Sequence, residues 1–469
     1  MSAALRPDGP TELLVGLDIG TTMTKAAVVG PDGQEISWGS VPTPWRTVPS
    51  GAETWPADII GAAARAIGDA LDAAPPGEVV GLGVTSMAET VVLLGEDGSP
   101  VAPAIAWHDS RGEDEAAELA EVFGATAFSQ RTGLVASPMC TLAKLAWHSR
   151  HNGPPARRAL SVADWVVHSL GGEQVAEASL ASRTGALSLA DRCWWAEGLE
   201  WAGARPDLFP PVVQAGERAG RVVRGSLAHL QGLDRGRSDA LGRLKGAALT
   251  TAGHDHMCIA AGLGAVRPGQ ILDSCGTAEA FVRTVPALDA PAVGRAVEAG
   301  LDAGWHTVPG MYALITGQLL GLMLERVLAL LGVAGPDALA ALDAAGELTP
   351  AGPLVVVQEG FDTPASIRGV GPTASPAALW TAALNCLSNG AMRITGAMQS
   401  VAGPATELVL SGGWARCAGL RRRRGALAPT VRWPAVTEAG ARGAAMFGGC
   451  AAGLFSGPHD FPVPADRLV

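Results

Sequence analysis

LLVGLDIGTTMTKAAVVGPDGQEI, residues 13–36, reads as strand, tight turn and strand. Leu13 to Leu17 is a short apolar run suited to a buried strand, and Thr24 to Val29 is a second. Pro31-Asp32-Gly33 supplies turn chemistry before a third. Asp18 falls at the end of the first strand with Gly20 beside it. One corner therefore combines an acidic side chain with hydroxyls and the exposed backbone N–H groups of a loop, which suits a phosphate and its metal.

The rest of the chain extends this unit. Residues 56–73 have helical spacing with Pro56 in the first turn. Val79 to Thr85 reads as a buried strand, so the order is three strands, helix, strand, the signature of an α/β layered domain. Val91 to Leu94 is a further short strand, and Ile105 to Arg111 leads into a helix rich in Glu and Ala. Residues 191–245 read as loop-rich. After them Ala247 to Ala252 is strand-like and runs into Gly253-His254-Asp255-His256, with a small-residue helix over 257–265. Gln270 to Ser274 then reads as a strand ending at Cys275-Gly276-Thr277, followed by strand-like Ala280 to Thr284. This repeats the Gly-Thr turn of the opening hairpin. Two such turns in two halves imply a duplicated architecture with a boundary near residue 250, and 469 residues exceed the roughly 250–300 at which one core stops growing.

Composition narrows the function classes. A net charge of -11 disfavours nucleic acid or an anionic membrane as the main partner, while leaving room for a locally positive phosphate site. Seven widely spaced cysteines without a Cys-x-x-Cys pair suggest neither a disulfide framework nor a zinc ribbon, which fits a reducing cytoplasm. The first fourteen residues lack the pattern of a signal peptide. The most membrane-like run, 313–335, carries Glu325 and Arg326 at its middle and reads as a buried or amphipathic core helix, not a span. Its Met and Leu stripe at 319–331 reads as core. Arg421 to Arg424 reads as a solvated helix face or turn.

No Walker-type loop and no Gly-x-Gly-x-x-Gly opening a helix is present, so nucleotide binding needs another scaffold. His254-Asp255-His256 also reads as a metal-binding set, but the other histidines form no ligand cluster with it, and hydrogen bonding to substrate or structure is preferred. Trp107 and Glu89 read as site members against the bland alternatives of a core indole and a solvated loop end.

Taken in order, these segments resemble the FGGY carbohydrate kinases, the sugar and polyol branch of the superfamily that includes actin, hexokinase and the heat-shock chaperone ATPases. Asp18-Ile19-Gly20-Thr21-Thr22 with Lys25 is similar to that family's first phosphate motif, and Gly276-Thr277 to its second. Gly253-His254-Asp255 is similar to the segment carrying the catalytic aspartate. Ser411-Gly412-Gly413, with Glu438 to Ala445 downstream, is similar to the adenosine-binding region, and Trp107-x-Asp109-x-Arg111 to the substrate-side motif. The matches run in family order from about residue 13 to 454. Ser86-Met87-Ala88-Glu89-Thr90 stands where xylulose kinases carry Gly-Gln-Met-His-Gly and glycerol kinases Arg-Glu-Thr. Ala88 thus replaces the arginine, and neither substrate is matched fully.

The resemblance implies two actin-like, ribonuclease H-like α/β domains flanking a catalytic cleft. Residues 1–249 would carry the substrate side and first phosphate loop, and 250–469 the catalytic aspartate and ATP side. It implies transfer of the γ-phosphate of ATP, with Mg²⁺, to a hydroxyl of a small sugar or polyol, such as a xylulose-like pentulose or an alditol. Asp18 would hold the metal, Gly20, Thr21, Thr22, Lys25, Gly276 and Thr277 the phosphates, and Gly412 and Gly413 the adenosine. Asp255 would be the catalytic base. Glu89, Thr90, Trp107, Asp109, Arg111, His254 and His256 would meet the substrate. It further implies a cytoplasmic protein acting on a small molecule, with a homodimer as the assembly it allows. A non-catalytic sugar or nucleotide sensor and a sugar-independent ATPase on the same fold remain open at this point.

Overall fold

The computed structural model describes residues 11–467 apart from 152, 234–237, 358–364 and 373. Its frame is two six-stranded sheets that share the topology of five strands and differ in the edge to which the sixth is added. The first contains β1 (Glu12–Ile19), β2 (Met23–Val29), β3 (Glu35–Pro42), β4 (Glu78–Ser86) and β5 (Ala248–His254). The second contains β6 (Gln270–Cys275), β7 (Glu279–Pro286), β8 (Met311–Gln318), β9 (Glu407–Ser411) and β10 (Val431–Arg432). In the first, β1 pairs antiparallel with β2 and β2 with β3, while β1 pairs parallel with β4 and β4 with β5. In the second, β6, β7 and β8 form the same antiparallel meander, and β6, β9 and β10 the same parallel side. Gly220–Arg221 and Asp302–Trp305 complete the edges. The first sheet takes its strand β5 from Ala248–His254, at the boundary expected near 250.

Alternation of side chains along β1 explains why the run is so apolar. Leu13, Val15, Leu17 and Ile19 point to one face, where α1 (Pro56–Asp72) presents Ile59, Ile60, Ala63 and Ile67. Leu14 points to the other, against Ala441, Ala444 and Ala445 of the last long helix. Both faces are covered, so alternation of polar and apolar residues disappears, as in mostly parallel sheets. Each fully buried Leu or Ile contributes about 1.5–3 kcal/mol relative to exposure.

The covering helices are exchanged between the sheets. α2 (Asp255–Gly262) follows β5 of the first sheet, yet Met257, Ala260 and Leu263 pack on Leu272, Val282 and Val409 of the second. α3 (Pro376–Ala402) covers the opposite face of that second sheet through Trp380 and Leu387. α4 (Ala439–Ala452) follows β10 of the second sheet, yet lies on the first. Glycines permit its close approach. A Cβ on Gly16 would stand 1.8 Å from the Ala441 carbonyl oxygen, one on Gly83 1.9 Å from that of Ala444, and one on Gly81 2.2 Å from that of Gly448. α2 and α4 also touch each other, since a Cβ on Gly262 would stand 2.7 Å from Gly443 Cα.

Two expectations change. The run 313–335 is not one helix: Met311–Gln318 is strand β8, whose β-branched Ile315 and Thr316 suit a sheet, and the helix is Gly321–Leu331, closed by Gly332 at φ 64°. Of the Met and Leu stripe at 319–331, Leu319, Leu320, Met323 and Leu324 are core as expected, whereas Leu330 is exposed. The stretch 191–245 holds short strands and helices, including Ala196–Trp201 and Arg224–Leu233, between its loops. Among the described residues no single helix is long and apolar enough to cross a membrane.

Two stability predictions follow from this packing. Gly16→Ala should lose about 1–3 kcal/mol or more in denaturant unfolding, because backbone on both sides cannot yield. Gly396→Ala, at an exposed site of α3 where a Cβ meets nothing within 4 Å, should instead gain roughly 0.5–1 kcal/mol. The second concerns His306, which is buried with Nδ1 accepting the Val308 N–H at 3.1 Å and Nε2 3.4 Å from the Thr284 hydroxyl. Burial, then the charge of His254, pushes its pKa down to about 3. The unfolded chain then binds a proton that the folded chain refuses, so stability falls as pH drops below the unfolded value of about 6.5. Between pH 7 and 5 the parent should lose roughly 2 kcal/mol more than His306→Gln.

Candidate active site

The β1–β2 and β6–β7 hairpin turns both lie at open strand ends, and the two exchanged helices start beside them. In the first turn the Gly20 N–H donates to the Met23 carbonyl at 3.0 Å. Thr43 donates its hydroxyl to Gly20 O at 2.7 Å, Trp45 its indole N–H to Thr21 O at 2.6 Å, and Trp107 its indole N–H to Thr21 Oγ1 at 2.9 Å. Thr22 is left exposed. The loop is thus held from behind, with its outer face free. Because the Trp107 N–H is committed to Thr21, only the face of this half-buried ring remains for another ligand.

Asp18 ends β1 opposite Lys25 on β2 and Thr85 on β4, and Thr85 lies opposite Gly253 on β5. Asp255, the first residue of α2, is therefore brought to the same sheet edge as Asp18. Asp18 Oδ1 is buried without a hydrogen-bond partner. Its carboxylate lies against the start of α4, where a Cβ on Gly440 would stand 2.0 Å from Oδ2. Burial first, then the charges of Asp255 and Glu438, push the Asp18 pKa up against the pull of Lys25. Lys25 Nζ itself pairs with Glu438 at 2.8 Å. Asp255 behaves oppositely: burial would raise it, but His256 and His254 hold it low. Its Oδ1 accepts the His256 N–H at 2.6 Å and lies 3.1 Å from His254 Nε2. Two adjacent carboxylates with one orphaned oxygen form a site suited to a cation of oxygen preference.

On the other side, Glu89 sits at φ 62°, an uncommon conformation for a side-chain-bearing residue. Arg183 Nε donates to Glu89 Oε1 at 2.7 Å, and Arg183 Nη2 pairs with Asp302 at 2.9 Å. Glu89 and Arg183 both act electrostatically on His256, which joins this cluster to Asp255. Lys144, buried and donating to Trp107 O at 3.1 Å, is pushed down to about 8 by burial against the pull of Glu89. Thr90 is fully buried beneath Glu89. Asp109 and Arg111 are joined to each other: Arg111 Nε and Nη2 donate to the two Asp109 oxygens at 2.9 and 2.8 Å, and Arg111 Nη1 donates to Glu53 at 2.9 Å. Asp109 also accepts the Ala52 N–H at 3.0 Å. These ions fix the loop that carries Trp107.

The second turn leaves Thr277 and Ala278 exposed between β6 and β7. Gly412, at φ 88°, presses on it so closely that a Cβ would stand 2.4 Å from Cys275 O, while a Cβ on Gly413 would meet nothing. Gly276, Thr277, Gly412 and Gly413 thus occupy one patch. Below it lies a fully buried ion cluster. Arg424 Nε donates to Asp273 Oδ2 at 2.8 Å and its Nη2 to Glu279, whose other oxygen accepts from Gln318. Arg424 is therefore not part of a solvated face as expected; the carboxylates of β6 and β7 draw it into the core.

Arg183, Lys144, Trp45, Thr43 and Arg424 escape sequence reasoning, since each reaches its partner across tens of residues without a local motif. Glu438 does stand at the head of the Ala439-Gly440 segment singled out above.

Two ribonuclease H-like sheets with a Gly-Thr turn on each and carboxylates between them define the two-lobed, actin-like ATPase fold. Residues 13–237 match the N-terminal domain of the FGGY family of carbohydrate kinases. The xylulose kinase of Streptomyces coelicolor is 33% identical over 297 residues, 59% of this chain and 54% of that protein. The gluconokinase of Bacillus subtilis is 29% identical over 211 residues, 44% and 41% respectively. The chain thus spans about half the length of these relatives. The crystal structure of the xylulose kinase from Rhodospirillum rubrum superposes with a TM-score of 0.82 at 26% identity, covering 97% of this chain and 93% of that one. Over residues 13–237 the chain thus matches the FGGY family of carbohydrate kinases, and over nearly its whole length it shares the fold of that solved xylulose kinase.

Arg424→Met should cost about 3–5 kcal/mol in denaturant unfolding, because Asp273 and Glu279 would remain buried and uncompensated. Adding Asp273→Asn and Glu279→Gln to that variant should recover part of the loss.

Proposed function

We propose that this chain is an ATP-dependent kinase that transfers the γ-phosphate to a hydroxyl of a small sugar or polyol. The observation that carries the reading is the meeting of Asp18 and Asp255 at one edge of the first sheet, beside the Gly20–Thr22 loop. Phosphoryl transfer proceeds through a loose transition state with charge on the equatorial oxygens, so positioning and neutralisation do most of the work. Gly20, Thr21 and Thr22 on one turn and Gly276 and Thr277 on the other offer backbone N–H groups and hydroxyls to the phosphates. Lys25 adds charge near the first turn, where Glu438 holds it. Gly412 and Gly413, on the patch beside the second turn, form the adenosine side.

Asp255 accepts the proton of the acceptor hydroxyl as that oxygen attacks in line; His254 and His256 keep its carboxylate ionised and oriented. Asp18, whose orphaned oxygen and neighbouring carboxylate fit a cation, would hold Mg²⁺. When bound, Mg²⁺ neutralises charge on the phosphate oxygens. Glu89 keeps one oxygen on Arg183 and offers the other to a substrate hydroxyl, and the Trp107 ring face packs on sugar C–H groups. Thr90, Asp109 and Arg111 support this side from behind. We divide the chain near residue 255, with acceptor binding on the N-terminal part and nucleotide on the C-terminal part.

The test is ADP release from Mg-ATP across ketoses, aldoses, alditols and sugar acids, with Asp255→Asn beside the parent. Sugar-dependent release that falls about 10²–10⁴-fold in the variant is the expected result. Release indifferent to every sugar would replace the kinase with an ATPase or a sensor.

A further inference from the structure

Glu177 is fully buried and has no cationic partner among the described residues. An ionised carboxylate so placed costs several kcal/mol unless its hydrogen bonds compensate. Its Oε2 gathers three donors: the Ser179 N–H at 2.8 Å, the Ser179 hydroxyl at 2.6 Å and the Leu180 N–H at 3.1 Å. Its Oε1 has none. The consequence falls on Ser179. With its only proton committed to Glu177, the hydroxyl can meet a further group solely as an acceptor. That group is the backbone N–H of His254, at 2.9 Å.

The same peptide is held from its other end, where Thr85 donates its hydroxyl to Gly253 O at 2.6 Å. Gly253 is at φ 89°, and a Cβ on it would stand 2.5 Å from Ser179 Oγ, so no ordinary residue fits between the two grips. The Gly253–His254 peptide plane is thereby fixed by a donor on one end and an obligatory acceptor on the other. Asp255 is the next residue, and its orientation inherits that plane.

Resting on the kinase reading above, we propose that Glu177, acting through Ser179 and opposed by Thr85, positions Asp255 for proton abstraction. These three are positioning residues; none of them touches the acceptor hydroxyl. Their loss should move the carboxylate relative to the acceptor while leaving the phosphate turns, which other residues hold, undisturbed.

The experiment measures kcat, KM for ATP and cooperative unfolding for Ser179→Ala, Thr85→Val, Glu177→Ala and Glu177→Gln in the full chain, with Asp255→Asn as reference. Ser179→Ala, Thr85→Val and Glu177→Ala should lower kcat by roughly 10²-fold, the effect of about 1 Å of misplacement, with KM for ATP nearly unchanged. Glu177→Gln should stay near the parent, because an amide oxygen can still accept from Ser179. If Ser179→Ala does not fold, Thr85→Val carries the test, since it removes the opposite grip with little change in volume. Folded variants with parental kcat beside an inactive Asp255→Asn would overturn the inference alone. An Asp255→Asn variant as active as the parent would instead overturn the role of Asp255, and the inference with it.

Discussion

The backbone-to-backbone contact of α4 with the first sheet is the constraint on which the rest depends. Gly16, Gly81 and Gly83 remove side chains from the central strands, so the helix lies directly on the pleat. That approach brings Gly440 against the Asp18 carboxylate and Glu438 within reach of Lys25. A bulkier floor would lift the helix and separate the two halves of the site. The reciprocal placement of α2 on the second sheet ties Asp255 to the same arrangement, because the helix it begins is packed between the lobes.

Electrostatics then divides labour between two carboxylates of one edge. His254 and His256 stand beside Asp255 and favour its charged form, whereas Asp18 has burial, Asp255 and Glu438 against it and only Lys25 in favour. The asymmetry gives each group a distinct chemical character without any difference in residue type, and it leaves Asp18 as the group most relieved by an added positive charge. The aromatic side is equally committed: the Trp45 and Trp107 indoles grip Thr21 at its carbonyl and its hydroxyl, so residues outside the loop help to fix its shape.

What could be read from the chain follows from how local each signal is. The opening hairpin, α1, β4 and the second Gly-Thr turn are legible because short continuous apolar runs, helical spacing, and proline and glycine punctuation act over fewer than about twenty residues. The order of the phosphate, aspartate and glycine motifs identified the two-lobed fold for the same reason. The exchange of α2 and α4 was not legible, since a small-residue helix does not declare which sheet it covers. Arg424 misled for a related cause: within a run of four arginines nothing distinguishes the one that meets Asp273 and Glu279 from those that meet solvent. Arg183 and Ser179 sit in unremarkable local sequence, and their meaning arises only from partners near residues 89 and 254. The run 313–335 was read too long because Thr316-Gly317-Gln318, the strand end, carries too weak a break against so apolar a background.

The return of α4 to the first sheet also shapes how the chain is made. Strands β1 to β5 are complete by residue 254, but the helix that covers one of their faces ends at Ala452. At a synthesis rate of about 5–20 residues per second, the first lobe emerges some 10–40 s before its lid of Ala441, Ala444 and Phe447 exists. Through that interval a glycine-floored apolar face is open to the cell. How long that face stays uncovered is therefore set by the length of chain between His254 and Ala452.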